Sequence, residues 1–560
     1  MGLVADYLML KKANCLNCYK CIRHCPVKAI RYSDDQAQIV DNDCILCGEC
    51  FVSCPQNAKE IRRDVDKAKE LIASGAPVYV SLAPSFVTDY GNATIGAMQK
   101  ALGQLGFTAT EETAVGATIV KNEYERMIAE HEQDVIISSC CNSINLLIQK
   151  HYPEALPYLA HVVSPMQAHS LDIKRRHPGA KTVFIGPCIS KKEEAETYPG
   201  IVDCVLTFEE LTEWFTDEHV MLEKIADENE DSRARLFPTT GGVIRTMNKS
   251  SHTYNYLAMD GVENCIGAIK DIIKGNLRNC FIEMSACVGS CIGGPAINEK
   301  NRTPISAYVM VDNYAGRGHF PVEHHPRESL TKEMPSLEIK APHFAKEAIE
   351  EVLRQIGKVR PEDELNCGSC GYATCRDKAE AVLQGRATLT MCLPFLKEKA
   401  ESFSDTVITN SADAILVLDD ELRVQQINPA GCQLMNLRSA GDVLGEPVVR
   451  ILDPLVFIEA RKGKNLYNRP LYLAEYRRHV EQTVVYVKEY NILICNMRDV
   501  TAQERERTGK KAMSRITAET ADQVIEKQLR TVQEIASLLG ETAAETQIAL
   551  TKLKESLIDD

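Results

Sequence analysis

At 560 residues, 44% hydrophobic and 25% charged, the chain is long enough for several domains of ordinary globular composition. A formal net charge of -14 with no basic block argues against a nucleic-acid partner, and no run approaches the roughly 18 apolar residues of a membrane span. The opening MGLVADYLMLKKANC lacks the order of a secretory signal, so a cytoplasmic protein is expected, and its 22 cysteines point to metal thiolates and not to disulfides.

The first cysteines carry the strongest signal. Residues 15 to 26 read Cys-x-x-Cys-x-x-Cys-x-x-x-Cys-Pro, and residues 44 to 55 repeat that spacing. In the bacterial two-cluster ferredoxin run, three cysteines of each repeat bind one 4Fe-4S cube and the fourth ligates the other. Cys15, Cys18, Cys21 and Cys54 are therefore expected to hold one cluster, and Cys44, Cys47, Cys50 and Cys25 the second. Two zinc sites are the competing reading.

From Glu60 to Ala73, apolar residues Ile61, Val65, Ala68 and Leu71 recur at helical spacing, and Gly75-Ala76-Pro77 ends the pattern. This predicts a linker helix. Val78 to Ser81 then opens an alternation of strands and helices that fits layers around a mostly parallel sheet, with Glu209 to Ile225 as one covering helix.

Three strand-like runs in this region end in cysteine. Val135 to Ser139 leads into Cys140-Cys141, Thr182 to Pro187 into Cys188, and Phe281 to Met284 into Cys287 and Cys291, inside FIEMSACVGSCIGGP. Ligands of open α/β sheets sit beyond the carboxyl ends of the strands, so these runs would deliver their sulfurs to one cage. Cys204, Cys265 and Cys280 have no motif partners and read as buried packing residues. His161 and His169 are assigned no role.

SerSerCysCys at 138 to 141, ProCysIleSerLysLysGluGlu at 187 to 194, ThrThrGlyGlyVal at 239 to 243 and MetSerAlaCysValGlySerCysIleGlyGly at 284 to 294 resemble, in order and spacing, the motifs of the FeFe hydrogenases. The resemblance implies an H-cluster, a 4Fe-4S cube joined to a di-iron subcluster. It implies Cys141, Cys188, Cys287 and Cys291 as the cube's ligands, with Cys291 the bridge to the di-iron unit. Lys191 falls at the family's cyanide-facing ammonium and Cys140 at its proton-relay thiol, which are the two catalytic assignments. Gly186 and Ser285 stand where many members pack methionines on the di-iron unit, giving space and a hydroxyl next to the cofactor. Asn142 replaces a proline after the first motif. Val120 replaces one glutamate of the usual proton path, and Glu123 is aligned with the other.

Cys367, Cys370 and Cys375, followed by Cys392 before Leu393-Pro394, resemble a small 4Fe-4S domain, and zinc again suits four thiolates. AspAlaIleLeuValLeuAsp at 413 to 419, LeuArgValGlnGlnIleAsnProAla at 422 to 430 and AsnIleLeuIleCysAsnMetArgAspValThr at 491 to 501 resemble a PAS sensor domain, an α+β fold that binds a small ligand or pairs with another copy. Cys432, Cys495 and His479 are its conceivable ligand contacts, with packing the expected role of the two cysteines. In the tail, Ile525, Val532, Ile535 and Leu539 form one stripe, Gly540 is expected to end that helix, and Thr542-x-x-Glu545 to start another carrying Thr546, Leu550, Leu553 and Leu557. Such seams need each other or another chain.

The expected fold is thus multidomain α/β: a two-cluster ferredoxin module over 1–60, a linker helix over 61–76, an H-cluster domain over 77–360, a 4Fe-4S domain over 361–398, a PAS domain over 399–503 and C-terminal output or dimerisation helices over 504–560. Together these resemblances imply a sensory FeFe hydrogenase, slow because the proton path is altered. A ferredoxin-coupled metabolic hydrogenase and a non-enzymatic iron-sulfur redox sensor are the alternatives. The implied partners are H2 and protons, an electron-transfer protein, a second copy of the chain, and a separate kinase or phosphatase, since no histidine follows His479 to be autophosphorylated.

Overall fold

The computed structural model describes all residues except 1–6, 12–13, 34–35, 92, 226–231, 249–253, 299–301, 340–341 and 557–560. The chain forms two compact units, Met1–Leu396 and Lys397–Asp560.

The first unit begins with the cysteine repeat. β1 (Leu8–Leu10) pairs antiparallel with β4 (Lys59–Ile61), and between them β2 (Ile30–Ser33) pairs with β3 (Gln36–Ile39). Each Cys-x-x-Cys-x-x-Cys run turns into a short helix, Lys20–His24 or Glu49–Val52. The sequence repeat is also a backbone repeat. Asn17 and Leu46, Tyr19 and Gly48, and Lys28 and Asn57 all take positive φ, and Ala29 and Ala58 donate backbone N–H groups to Cys25 Sγ and Cys54 Sγ. Successive left-handed turns fold backbone amides inward, which suits an anionic guest. Tyr7, Leu8, Ile22, Ile30, Ile45 and Leu46 close the core beneath.

The linker helix is shorter than its apolar pattern, Val65–Ala73. Ile61 completes β4 instead, because the edge of β1 offers its Leu8 as a partner. Beyond the helix, parallel strands form two sheets and not one. β5 (Val78–Leu82), β6 (Ala109–Glu112), β8 (Lys181–Gly186) and β9 (Cys204–Thr207) lie in the order β6-β5-β8-β9. β7 (Val135–Ile137), β10 (Asn255–Asp260) and β11 (Cys280–Ser285) lie in the order β10-β11-β7. β5, β7, β8, β9 and β11 are largely apolar and buried, as parallel strands covered on both faces require, whereas the edge strands β6 and β10 carry Thr110, Glu111 and Glu112 and Asn255 and Asp260 and are only partly buried. The helix expected over 209–225 is Phe208–Asp217, with Thr207 and Glu210 forming a capping box at its start. It buries Trp214, the only tryptophan of the chain.

Helices Lys346–Gln355 and Cys375–Leu383 pack around Val352, Leu353, Ile356 and Ala379 and close this unit.

In the second unit, β12 (Ala414–Leu418), β13 (Val424–Ile427), β14 (Leu466–Leu473), β15 (Arg478–Val487) and β16 (Ile492–Asp499) build one antiparallel sheet ordered β13-β12-β16-β15-β14. Asn428 accepts from the Gly431 and Ile415 amides, which explains the Asn-Pro-Ala run as a helix start. Past Asp499, a single helix runs from Thr501 to Ser556. This corrects the expectation of two helices. Thr542 does not cap but donates its hydroxyl back to the Leu538 carbonyl, and one glycine at 540 costs only about 1 kcal/mol amid strong helix formers. Leu557, expected on the seam, lies outside the described residues.

Candidate metal centre

The ends of β7, β8 and β11 converge, with β7 and β11 from one sheet and β8 from the other. Between them lies a cavity of about 120 Å³ whose lining includes Cys140, Cys141, Cys188, Lys191, Glu283, Ser285 and Cys291. Cys287 stands outside that lining, yet its sulfur is close enough to Cys188, Cys141 and Cys291 for their charges to bear on it. Four sulfurs from three strand ends thus face one another.

Burial first, and then the neighbouring sulfurs, push the Cys141 and Cys287 thiols up and Cys291 up to about 12. A bare cage therefore holds protons, and a thiophilic metal must displace them to bind. Among the described residues no three metal-ligating groups converge on the point a single ion would occupy. A cube takes each thiolate at a separate corner, and this donor set fits one.

Lys191 Nζ donates to the Cys140 carbonyl at 3.0 Å and to Glu194. Burial would lower this ammonium, but Glu194 and the Cys188 and Cys141 sulfurs outweigh it and raise it. Glu194 is itself enclosed, accepting from Lys332 Nζ at 2.6 Å and Ser164 Oγ at 3.1 Å, and the two lysines overcome burial to hold its carboxyl below the ordinary value. The cation is thereby fixed at the cavity wall. Asn142, in place of proline, donates to Glu193 and to the Ser190 carbonyl, tying the β7 crossing to the Lys191 helix.

Gly186 does not line the cavity. A Cβ there would come within 2.7 Å of the Phe184 ring, so the room left by the missing side chain is filled by Phe184, whose ring lines the wall in its place. Ser285 does line it.

Val120 is fully buried among Tyr124, Met127 and Phe281, and Glu123 is held in a bidentate pair by Arg126. Neither faces the cavity. Two groups that sequence reasoning passed over do bear on Cys140. The Tyr124 hydroxyl lies 3.3 Å from Cys140 Sγ and 3.1 Å from Ser139 Oγ. The Glu283 carboxyl lines the cavity within electrostatic range of Cys140. Burial drives Glu283 up to about 7 against the backbone amides of Gly241 to Ile244, which favour its anion, the Ile244 amide at 3.1 Å. Burial likewise pushes Cys140 up to about 12, with Tyr124 and Lys191 opposing. A carboxylate inside an otherwise apolar strand was the available signal for Glu283; Tyr124 offered none. His169 lies elsewhere, between Ser81 and Glu111.

The cysteines of the two repeats lie within electrostatic range of one another in two groups. Cys21 feels Cys15, Cys18 and Cys54, whereas Cys50 feels Cys44, Cys25 and Cys47. Cys47 also bears on Cys287, so the second cage neighbours the cube site. Gly48 makes that approach achievable: at φ +77°, a Cβ would meet Pro295 at 2.5 Å. Lys150 Nζ donates to the Cys44 carbonyl at 2.7 Å across the same seam. Cys367, Cys370, Cys375 and Cys392 line one small cavity together with buried Lys378. This last cage also rests on the ferredoxin module, where Lys28 Nζ donates to the Gly371 carbonyl at 2.7 Å and Arg386 pairs with Asp43.

In the second unit Cys495 is fully buried and accepts from Gln482 at 3.5 Å, Cys432 is half-buried, and His479 packs on Tyr472.

A buried cysteine cage with a fixed cation at its wall, served by two further cages of ferredoxin spacing, defines an iron-sulfur redox protein. Residues 70–295 match the family described as iron only hydrogenase large subunit, C-terminal domain; residues 8–55 match a 4Fe-4S dicluster domain, 363–394 an Fe-S cluster domain and 402–469 a PAS domain. The chain thus carries an FeFe hydrogenase catalytic domain with a 4Fe-4S dicluster, a further Fe-S domain and a PAS domain. Iron hydrogenase 1 of Clostridium pasteurianum is 24% identical over 377 residues, 52% of this chain and 66% of that relative. The periplasmic Fe hydrogenase large subunit of Nitratidesulfovibrio vulgaris is 26% identical over 51% of this chain and 85% of its own length. A cytosolic Fe-S cluster assembly factor of Debaryomyces hansenii is 27% identical over 33% of this chain and 39% of that protein. A solved FeFe hydrogenase from Chlamydomonas reinhardtii aligns with a TM-score of 0.39 at 17% identity, over 50% of this chain and all of that one. The chain spans just under two thirds of the Clostridium relative. No helix among the described residues is long and apolar enough to cross a membrane.

Proposed function

We propose that the chain is a sensory FeFe hydrogenase, which reacts reversibly with H2 and relays the resulting redox state through its Fe-S domains to the PAS unit and terminal helix. The observation that carries this reading is the convergence of Cys140, Cys141, Cys188, Lys191, Glu283 and Cys291 on one cavity. Cys141, Cys188, Cys287 and Cys291 would hold the cube, with Cys291 also the link to the di-iron subcluster. The bound cofactor would supply heterolytic activation of H2, yielding protons and electrons.

The chain's own groups handle the rest. Lys191, anchored by Glu194, presents a permanent ammonium to an anionic guest in a site that Phe184, Met166 and Val243 keep dry. Cys140 Sγ holds a proton at the wall, Tyr124 fixes that sulfur's orientation, and the Glu283 carboxyl, titrating near neutrality, accepts the proton onward. The usual carboxylate route is replaced, since Val120 is apolar and Glu123 is locked by Arg126. Proton delivery through so few groups suits a slow enzyme that reports on H2.

Electrons would pass to the cage of Cys25, Cys44, Cys47 and Cys50, adjacent to Cys287, and from there to the cages of Cys15, Cys18, Cys21 and Cys54 and of Cys367, Cys370, Cys375 and Cys392. An electron-transfer protein and a separate kinase or phosphatase are the partners this arrangement calls for. The terminal helix supports a dimer, because Ile525, Leu529, Val532, Leu539, Leu550 and Leu553 are exposed at spacings of four, three, seven, eleven and three residues, which keep them near one stripe.

The test is an infrared spectrum of anaerobically matured protein under argon and then H2. Carbonyl and cyanide stretches that shift with H2 are expected. Absence of such bands, when a control hydrogenase matures in parallel, would refute the reading and leave a cube-only protein.

A further inference from the structure

Lys59 opens β4, opposite Leu10 of β1, and only 4% of it is exposed. Its Nζ is buried and makes no hydrogen bond among the described residues. An ammonium withdrawn from water without a partner is too costly to persist, so an anion must stand nearby. No carboxylate among the described residues bonds to it.

The groups that feel its charge identify that anion. Lys59 lines one cavity with Cys54, and its charge bears on Cys21 of the same cage beside the Cys15, Cys18 and Cys54 sulfurs. The charge of Lys59 also bears on Cys50 of the other cage, beside the Cys44, Cys25 and Cys47 sulfurs. One cation therefore faces one member of each ferredoxin cage. A 4Fe-4S cube on four thiolates is anionic, and reduction adds one electron with no bond made or broken. The hydrogen-bond partner missing from the protein corresponds to a charge partner in each cage.

We infer that Lys59 is the shared internal counter-cation of the two ferredoxin-type clusters, holding both reduction potentials up and making the potential of each depend on the same charge. This rests on reading residues 8–55 as a dicluster domain, and on nothing in the hydrogenase cavity. Potential tuning by buried charge is among the protein's main levers on such clusters. Lys59 touches no substrate and is a positioning residue for charge.

The experiment is a redox titration of the full-length, cluster-loaded protein followed by electron paramagnetic resonance, with Lys59→Met and Lys59→Arg beside the wild type. In Lys59→Met, the reduction equilibrium of each ferredoxin cluster is expected to weaken about tenfold, or about 59 mV for a one-electron couple. Lys59→Arg is expected to restore both. Unchanged potentials with iron content intact, or a shift in only one cluster, would overturn the inference. If Lys59→Met sheds iron, Lys59→Gln decides: iron lost from both neutral variants and kept by Lys59→Arg supports the counter-cation, and iron lost from all three overturns it. Absence of the two ferredoxin signals from the wild type would instead refute the dicluster reading.

Discussion

Glu283 offers a test of the cavity that needs no cofactor. Its carboxyl sits on β11 with only 4% of the residue exposed, and burial raises it from 4.5 to about 7 despite the amides of Gly241 to Ile244. A raised native value means that the folded protein holds this proton more tightly than the unfolded chain. Stability from this group is therefore fully present below about 4.5, is lost progressively as pH rises to about 7, and is flat above. At 1.36 kcal/mol for each pH unit, the loss is on the order of 3 kcal/mol. Glu283→Gln keeps an oxygen for the Ile244 amide and removes the titration. The assay is urea unfolding of the metal-free protein across pH 5 to 8, followed by emission of the single tryptophan, Trp214, which is buried in the same domain. The difference between wild type and variant should vary with pH up to about 7 and then level off. A pH-independent difference would show that Glu283 is ionised throughout and would remove it from the proton route.

Other consequences follow from the same geometry. Cys140→Ser should slow H2/D2 exchange by on the order of a hundredfold or more, because a hydroxyl gives up its proton far less readily than the thiol facing Tyr124; an unchanged rate would remove Cys140 from the route. Gly48→Ala forces a Cβ to within 2.5 Å of Pro295 at a positive φ, and should cost about 2 kcal/mol, read as a lower melting midpoint of cluster absorbance. Gly371→Val meets Ile22 and Arg23 at 3.1 to 3.2 Å and should loosen the last cage from the ferredoxin module, seen as faster protease cleavage after Arg23. Val532→Asp, in the middle of the exposed seam, should convert a dimer into a monomer in light scattering, whereas a monomeric wild type would refute the seam's role.

Much of this protein is local chemistry and is therefore legible along the chain. The doubled ferredoxin spacing was legible as a repeat, and the backbone repeats with it: positive φ recurs at matching positions, and the sulfurs of each expected group lie within electrostatic range of one another. The strand ends carrying Cys140, Cys188 and Cys287 were visible as apolar runs stopped by cysteine. Tertiary structure decided what depends on distant segments meeting. It divided the parallel strands between two sheets, filled the space beside Gly186 with Phe184, and took Ile61 from the linker helix to complete β4. It also joined the two expected tail helices into one, since nothing among the described residues packs at Gly540 to make a break worthwhile. Above all it set Tyr124 against Cys140 with Glu283 in electrostatic range, and left Lys59 near both cages without a hydrogen-bond partner among the described residues. Burial and charge act through space over a few ångströms, and separation along the chain does not encode that distance.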